Sequence, residues 1–363
     1  MDVLVVNAGS SSLKLRVLDA GDEVTASHDL EAPEARVDED ELARALADLG
    51  EVDAVGHRVV HGGTRFVKPV RLDDAVAAQL QELTALAPLH QPKSLAGIAA
   101  VGAALPDVPA VACFDTAFHA TLPAAAATYA LPAEWRERFG LRRYGFHGLS
   151  HAYAARRGAE LLGADPAEPR LVTCHLGAGA SLAAVRDGES VDTTMGFTPL
   201  EGLVMATRSG TVDPGLVLWL LERTGLDEPR LARALEQESG LLALAGSADM
   251  REVVAGAERG EEPAGTALDV YVHRLRAGVA AMAAALGRLD ALVFTGGVGE
   301  NSAAVRARAA AGLGFLGVAV DEARNRDAAP DANLSAPGAP VHTLVVAARE
   351  DLEIARQVRS VLG

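Results

Sequence analysis

Lysine is nearly missing from this sequence: Lys14, Lys68 and Lys93 are the whole supply, and arginine fills the rest of the 33 basic positions. Basic residues are outnumbered by 49 acidic ones, leaving a formal charge of −16. That balance excludes the basic stripe of a nucleic-acid-binding surface. Cysteine is almost as scarce. Cys113 and Cys174 both lie in apolar runs, so they read as reduced, buried thiols of a cytoplasmic protein, and no metal-ligand spacing of cysteines exists. Long apolar runs are lacking too. The Ala-rich stretch 277–289 is too short to span a bilayer and carries Arg288. The first residues enter a strand at once, with no basic and apolar leader pattern. The expectation is a soluble cytoplasmic protein with neither membrane nor nucleic-acid partner. Two motifs are absent as well, and a third fails at both glycine turns. Gly-Lys never occurs, which removes a Walker A loop, and neither Gly177/Gly179 nor Gly297/Gly299 has G-x-G-x-x-G spacing. No G-x-S-x-G elbow is present. His147 and His151 stand four apart like a metal pair, but no glutamate lies between them and no third ligand is in view, so capping or core roles suit His151 better.

What is present is a strand–turn–strand unit that occurs twice. Val3–Leu18 reads as an apolar strand, a turn of glycine and serines, and a second strand with Lys14 and Arg16 alternating outward. Such a turn aims backbone N–H groups and hydroxyls into one concave spot, which suits a phosphate oxyanion, although a plain surface hairpin has the same signature. The run Arg170–Arg186 repeats the arrangement. Asn7-Ala-Gly matches His175-Leu-Gly, 168 positions later, and Ser12-Leu matches Ser181-Leu with one residue inserted. With 363 residues, too many for one ordinary core, the repeat predicts two related domains. Strands and helices alternate along the rest. Helices are expected near 38–49, 73–86, 93–104, 214–224, 228–238, 264–286 and 350–362. Buried strands are expected at 108–114, 289–294 and 341–346, and a polar turn follows the second hairpin. This is a mixed α/β pattern, in which ligand residues gather at strand ends, where Arg58 and Asp115 fall. Strand 289–294 empties into Thr295-Gly-Gly-Val-Gly-Glu-Asn301, a strand, glycine turn and helix start of the kind that binds nucleotides.

Six motifs in order across the chain carry a family resemblance: Asn7–Lys14, Gly56–Gly63, Phe114–His119, Tyr144–Gly148, Met195–Gly202 and Gly299–Ser302. They resemble the motifs of the acetokinase family, the acetate kinases. The resemblance implies the acetate and sugar kinase/Hsp70/actin fold, with two RNase H-like domains, a nucleotide cleft between them, and a homodimer. Residues 1–120 with 352–363 would form one domain and 121–351 the nucleotide-binding one. The implied reaction is reversible, Mg²⁺-dependent transfer of the ATP γ-phosphoryl group to acetate, giving ADP and acetyl phosphate, with Mn²⁺ as an alternative ion.

Acetate is already ionised near neutral pH and needs no general base. The obstacle is repulsion between two anions, so catalysis should rest on positioning and positive charge. The resemblance assigns Arg58, Arg208 and His147 to that role, with Asp115 orienting an arginine or a metal-bound water. It assigns Asn7 and Glu350 to magnesium, and Arg58, Val60, Leu89, Phe146 and Pro199 to the acetate site. Ser10, Ser12 and Lys14 fall in the first phosphate hairpin, and His175, Leu176, Gly177, Ala178 and Gly179 in the second. Asp249, Met250, Arg251, Gly297, Val298, Gly299, Glu300 and Asn301 match the adenosine region. Two departures stand out: Ala178 replaces a side-chain amide, and Arg349 adds a charge beside Glu350. Two rivals remain. One is a kinase for propionate or a longer acid, which Val60 disfavours by its size. The other is a nucleotide-switched interaction protein of the Hsp70/actin type.

Overall fold

The computed structural model describes residues 1–8, 12–31, 38–87, 91–163 and 166–363. Ser10 and Leu89 lie outside these. The chain divides into two compact units, one of residues 1–120, 146–153 and 349–363, the other of 121–145 and 154–348.

In the first unit β1 (Val3–Ala8), β2 (Ser12–Leu18) and β3 (Val24–Glu31) form an antiparallel meander. Then come α1 (Glu39–Leu49), β4 (Ala54–Val59), β5 (Val70–Arg71), α2 (Asp74–Glu82), α3 (Gln91–Ala104) and β6 (Ala110–Phe114). The sheet order is β3-β2-β1-β4-β6-β5, with β1, β4 and β6 parallel. A run such as Val3-Leu-Val-Val6 is apolar at every position because both faces of the sheet are covered. Leu4 and Val6 pack with Leu42, Leu46 and Val101 of α1 and α3. Val3 and Val5 face the opposite way, onto Ile354, Ala355 and Val358 of the last helix of the chain. That helix lies so close to β4 that a Cβ at Gly56 would stand 2.5 Å from Ile354. Asp38 fixes the start of α1, its carboxylate accepting from the Glu41 N–H at 2.9 Å.

The second unit carries α4 (Ala124–Ala127) and α5 (Ala133–Phe139). Helix α6 (Gly148–Leu162) begins with residues of the first unit. After it come β7 (Arg170–Leu176), β8 (Ala180–Arg186) and β9 (Glu189–Thr193). Helices α7 (Pro214–Arg223), α8 (Glu228–Gln237), α9 (Gly240–Ala245), α10 (Met250–Glu258) and α11 (Glu262–Leu286) precede β10 (Ala291–Thr295). The unit closes with α12 (Gly296–Asn301), α13 (Ala303–Ala311), α14 (Glu322–Arg326), β11 (Ala332–Asn333) and β12 (His342–Val345). The chain ends in α15 (Glu350–Leu362), in the first unit. Helix α11 shows a buried stripe at Ala264, Ala267, Leu268, Tyr271, Val272, Leu275 and Val279, the i, i+3/i+4 spacing of one helical face.

Among the described residues the second sheet runs β9-β8-β7-β10-β12-β11, the first sheet's order element for element. The senses agree too: β7 with β8 and β8 with β9 antiparallel, β7 with β10 and β10 with β12 parallel, β11 antiparallel at the edge. Each sheet also shifts register on its second strand, at Val17/Leu18 and at Ala184/Val185. The sequence repeat therefore belongs to a repeat of whole sheets. The polar turn expected after the second hairpin forms at Asp187-Gly188 and leads into β9. The glycine run after Thr295 is itself a short helix, α12. No helix among the described residues is long and apolar enough to cross a membrane.

Candidate active site

Three adjacent parallel strands of the first unit end level with one another, and their ends carry Asn7, Arg58 and Asp115. Register does this: Val6 faces His57 across β1 and β4, Arg58 faces Cys113 across β4 and β6, and the Asp115 N–H donates to Val59 O at 3.0 Å. The Arg58 guanidinium donates from Nε and Nη2 to both Asp115 oxygens, at 3.1–3.2 and 2.7 Å, and from Nη1 to Asn7 Oδ1 at 3.1 Å. Asp115 is 2% exposed and Arg58 keeps 19% of its side chain open. Burial works against the Arg58 charge, but Asp115 and Glu350 outweigh it, so its pKa sits above the ordinary value. Burial pushes the Asp115 carboxyl up; Arg58 opposes that and Glu350 adds to it. Glu350, the first residue of α15, is thus within electrostatic reach of the assembly. The product is a fixed cation, gripped on one edge and partly open.

His147 follows on the same unit. It adopts φ +56°, a left-handed conformation uncommon for a side-chain-bearing residue. Phe146 before it is 1% exposed, and its carbonyl accepts from His119 Nε2 at 3.0 Å. Gly148 after it donates to Asp115 O at 2.9 Å, and a Cβ there would stand 2.1 Å from that oxygen. Glycine is therefore required where the start of α6 meets the strand end that holds Asp115. Phe146 also meets the His61 ring edge-on, centroids 5.5 Å apart. Val60 is half-buried just beyond β4. His151 is fully buried, 5.6 Å from the His119 ring, a core position. Ser12 opens β2, and Lys14 is exposed across from Asn7 on one side and Asp29 on the other.

In the second unit Arg208 donates from Nη1 to Pro199 O at 2.6 Å. It has no carboxylate within ion-pair distance among the described residues. Burial lowers its pKa, and Glu236 partly offsets the effect. A desolvated guanidinium of this kind is a strong site for an anion. A separate cavity of about 970 Å³ opens in the same unit. Gly177 and Ala178 of the β7–β8 turn line it, as do Asp249, Met250 and Arg251 at the start of α10, and Gly297, Val298 and Asn301 of α12. Leu241, Val254 and Tyr271 supply apolar wall. His175, Leu176, Gly179, Gly299 and Glu300 do not line the cavity. Glu300 instead accepts the Ala348 N–H at 2.9 Å. Asp249 caps α10 and holds Arg251 in an exposed ion pair at 2.5 Å.

A model of the acetokinase family matches residues 36–356. The chain belongs to the acetokinase family. It is 41% identical to the acetate kinase of Bacillus subtilis strain 168, over 98% of each chain. Against the acetate kinase of Gloeobacter violaceus it is 52% identical, over 86% of this chain and 78% of that protein. Its structure superimposes on the Porphyromonas gingivalis acetate kinase with a TM-score of 0.91 at 36% identity, all of each chain being covered. A propionate kinase from Francisella tularensis gives 0.91 at 34%, over 99% of this chain and all of that one. The fold is therefore that of the family, of the actin/Hsp70/sugar-kinase type.

Neither departure noted in the sequence opens an unbalanced charge. Ala178 lines the cavity with a methyl group, while Arg349 turns onto the Asp351 carboxylate at 3.0–3.2 Å. Among the described residues no cluster of three or more His, Cys, Asp or Glu side chains could cage a metal. Asn7 Oδ1 and the Glu350 carboxylate are hard oxygen donors, which fits Mg²⁺, an ion that takes one or two protein ligands and fills the rest with water and phosphate oxygens. Arg306 was not legible as a site residue. It is 2% exposed, and its guanidinium donates to Gly299 O and Glu300 O at 2.8 and 2.6 Å, and to Asn325 Oδ1 and O at 2.8 and 2.7 Å. It thereby fixes the far end of α12 behind the cavity. An arginine in an Ala-rich helix gives no sequence signal of that duty.

Proposed function

We propose that this chain catalyses reversible transfer of the γ-phosphoryl group of ATP to acetate, forming acetyl phosphate and ADP. The observation that carries the reading is the Asn7–Arg58–Asp115 assembly in a chain of the acetokinase family. An acetate oxygen attacks the γ-phosphorus as the bond to the β–γ bridging oxygen breaks, and no proton need move. The protein's task is to hold two anions together. Arg58, fixed by Asp115 and Asn7, offers its open edge to the acetate carboxylate. Arg208 and His147 supply positive charge and hydrogen bonds to the transferring oxygens, where one such donor is worth about 10²–10³ in rate. Val60, Leu89, Phe146 and Pro199 bound the acetate methyl. Ser10, Ser12 and Lys14 attend the phosphates from the first hairpin. The cavity lined by Gly177, Met250 and Gly297 takes the nucleotide, with His175, Leu176, Gly179, Gly299 and Glu300 shaping the backbone around it. Asn7 and Glu350 would hold Mg²⁺ (or Mn²⁺), which supplies charge neutralisation on the phosphates when bound.

A second reading has specific support: the Francisella protein that superimposes equally well is a propionate kinase. A hydroxamate trap for acyl phosphate, run with acetate, propionate and butyrate, separates the two. Highest kcat/KM with acetate is expected. One methylene discriminates by only about 10- to 200-fold, so some propionate turnover should appear. Higher kcat/KM for propionate would move the assignment, and ATP hydrolysis without acyl phosphate would end it.

The working form is a homodimer in the cytoplasm. Helix α7 reads Pro-Gly-Leu-Val-Leu-Trp-Leu-Leu yet buries no residue, with Leu218 and Trp219 60% and 55% exposed. A second copy seated on this face would remove that apolar surface from water. Sedimentation of the protein and of Trp219→Glu tests it: a dimer that the substitution dissociates is expected.

A further inference from the structure

Among the described residues the Arg208 guanidinium donates to one acceptor, the carbonyl of Pro199. Whatever fixes that carbonyl therefore aims the arginine. Pro199 stands in a loop, 194–202, that follows β9 and forms neither helix nor strand. Proline has no N–H of its own to anchor the chain, so the loop must be held from its flanks. Both flanks meet on one atom. The Tyr129 hydroxyl accepts from the Phe197 N–H at 2.8 Å and donates to Glu201 Oε2 at 2.6 Å, so it bridges the chain on either side of Pro199. Arg143 completes the clamp. Its Nη2 donates to Glu201 Oε1 at 2.7 Å, and its Nη1 to Thr194 O and Met195 O at 3.2 and 3.0 Å. A Cβ at Gly196 would stand 1.8 Å from Glu201 Oε2 and 2.2 Å from the Tyr129 oxygen, so only glycine lets the two side chains meet there. Burial, reinforced by Glu201, keeps the Tyr129 phenol protonated, and its hydroxyl stays the donor to the carboxylate. A hydroxyl on an ionised acceptor makes a short bond about twice as strong as a neutral one. Tyr129, Arg143 and Glu201 do not line the cavity of this unit, and their bonds all go to the loop that carries Pro199 or to one another at its base.

We propose that Tyr129 and Glu201, with Arg143, are positioning residues for phosphoryl transfer: they pin the loop on both sides of Pro199 and so hold the Arg208 guanidinium in its working direction. The inference rests on reading Arg208 as the charge that stabilises the transferring group. The three act through Arg208 and touch no substrate themselves. A misplacement of about 1 Å can cost about 10²-fold in rate even when the charge is kept.

Tyr129→Phe keeps the ring that Arg143 lies over, 5.7 Å from its centroid, and removes the bridge. At saturating acetate and ATP its kcat should fall about 10- to 100-fold, with KM for ATP keeping its value. Glu201→Gln retains an acceptor for Tyr129 and loses the ion pair with Arg143, so a smaller fall, about 3- to 10-fold, is expected. The cycle with Arg208→Ala separates positioning from general damage to the fold. Adding Tyr129→Phe to Arg208→Ala should leave kcat where Arg208→Ala alone put it, since the group being aimed is gone. The same fold-loss in both backgrounds overturns the proposal, because the hydroxyl then serves the fold at large. Wild-type kcat in Tyr129→Phe overturns it too and leaves Arg208 standing. Should Arg208→Ala itself turn over normally, the reading of Arg208 falls and this inference with it. Where Tyr129→Phe does not fold, Glu201→Gln carries the same cycle with the same outcomes.

Discussion

The two sheets share one strand order and put opposite things at the same place. In the first, the ends of β1, β4 and β6 carry Asn7, Arg58 and Asp115, joined side chain to side chain. Following the register of the second, those places fall on His175, Thr295 and Ala348, and the chain beyond Thr295 turns at once into the glycine helix α12. One sheet presents charge, and the other presents backbone beside a cavity. The lesson is that the parallel strand ends of this topology are a place for function without specifying which. Side chains fill the strand ends of the first sheet. At the second, Gly296 is required by the fold itself, since its φ is +80° and a Cβ there would stand 2.8 Å from Leu176 O at the end of β7.

Replacing the two arginines sharpens the contrast. Arg58→Ala should have the largest effect, because it removes the charge proposed to hold acetate and leaves Asp115 buried without its partner. Turnover should fall by about 10³ or more, and stability by about 3–5 kcal/mol, read by acyl phosphate formation and by denaturant unfolding. Arg208→Ala should cost about 10²–10³ in kcat with the unfolding midpoint nearly unmoved, since its bond goes to one carbonyl and no carboxylate is stranded. Near-normal turnover in this variant would contradict its electrostatic role. Equal destabilisation by the two would erase the distinction drawn between them.

Acid should strike the first unit. Burial lowers the pKa of His57, His61 and His119 to about 4 from an ordinary value of 6.5. The unfolded chain takes up these protons as pH falls below 6.5 while the folded chain refuses them. Stability is therefore intact above 6.5 and declines toward pH 4, by up to about 1.4 kcal/mol per pH unit for each histidine. Hydrogen exchange between pH 7 and 4.5 should show β4 and β6 losing protection as pH drops. Unchanged protection would mean that the rings already carry protons in the fold. The smallest effect is expected from Asn7→Ala. It removes one of Arg58's hydrogen bonds, worth about 1 kcal/mol or fivefold, and should raise KM for Mg-ATP more than KM for acetate. Equal rises in both would contradict the place given to Asn7.

The hairpin repeat was legible because a strand, a small-residue turn and a strand leave a local pattern, and the same pattern recurs 168 positions on. The rest of the sheet correspondence was not. β4 carries Arg58 one residue before its end while β10 ends in Thr295, and β5 and β11 are two residues long, too short to bear any periodicity. The long helices were read to within two residues from their periodicity and caps, except that the run expected at 73–86 is α-helical only to Glu82 and continues as a 3-10 segment to Leu86. α9, α10 and α14 escaped because each is short and bounded by loops of similar composition. The motifs pointed to Arg58 and Asp115 singly, but their bond spans 57 positions and comes from strand register, which no local window contains.

Helix α15 has a consequence in time. It covers the face of β1, β4 and β6 made by Val3, Val5, Val111 and Cys113, yet it follows β6 by more than 230 residues. A ribosome adding about 5–20 residues per second needs on the order of ten to fifty seconds to span that interval. Until then the sheet that holds Arg58 has one apolar side uncovered, while the whole second unit emerges between its parts. The nascent chain must therefore guard an open face through most of its own synthesis. Holding that face soluble is a task for whatever meets the polypeptide at the exit tunnel.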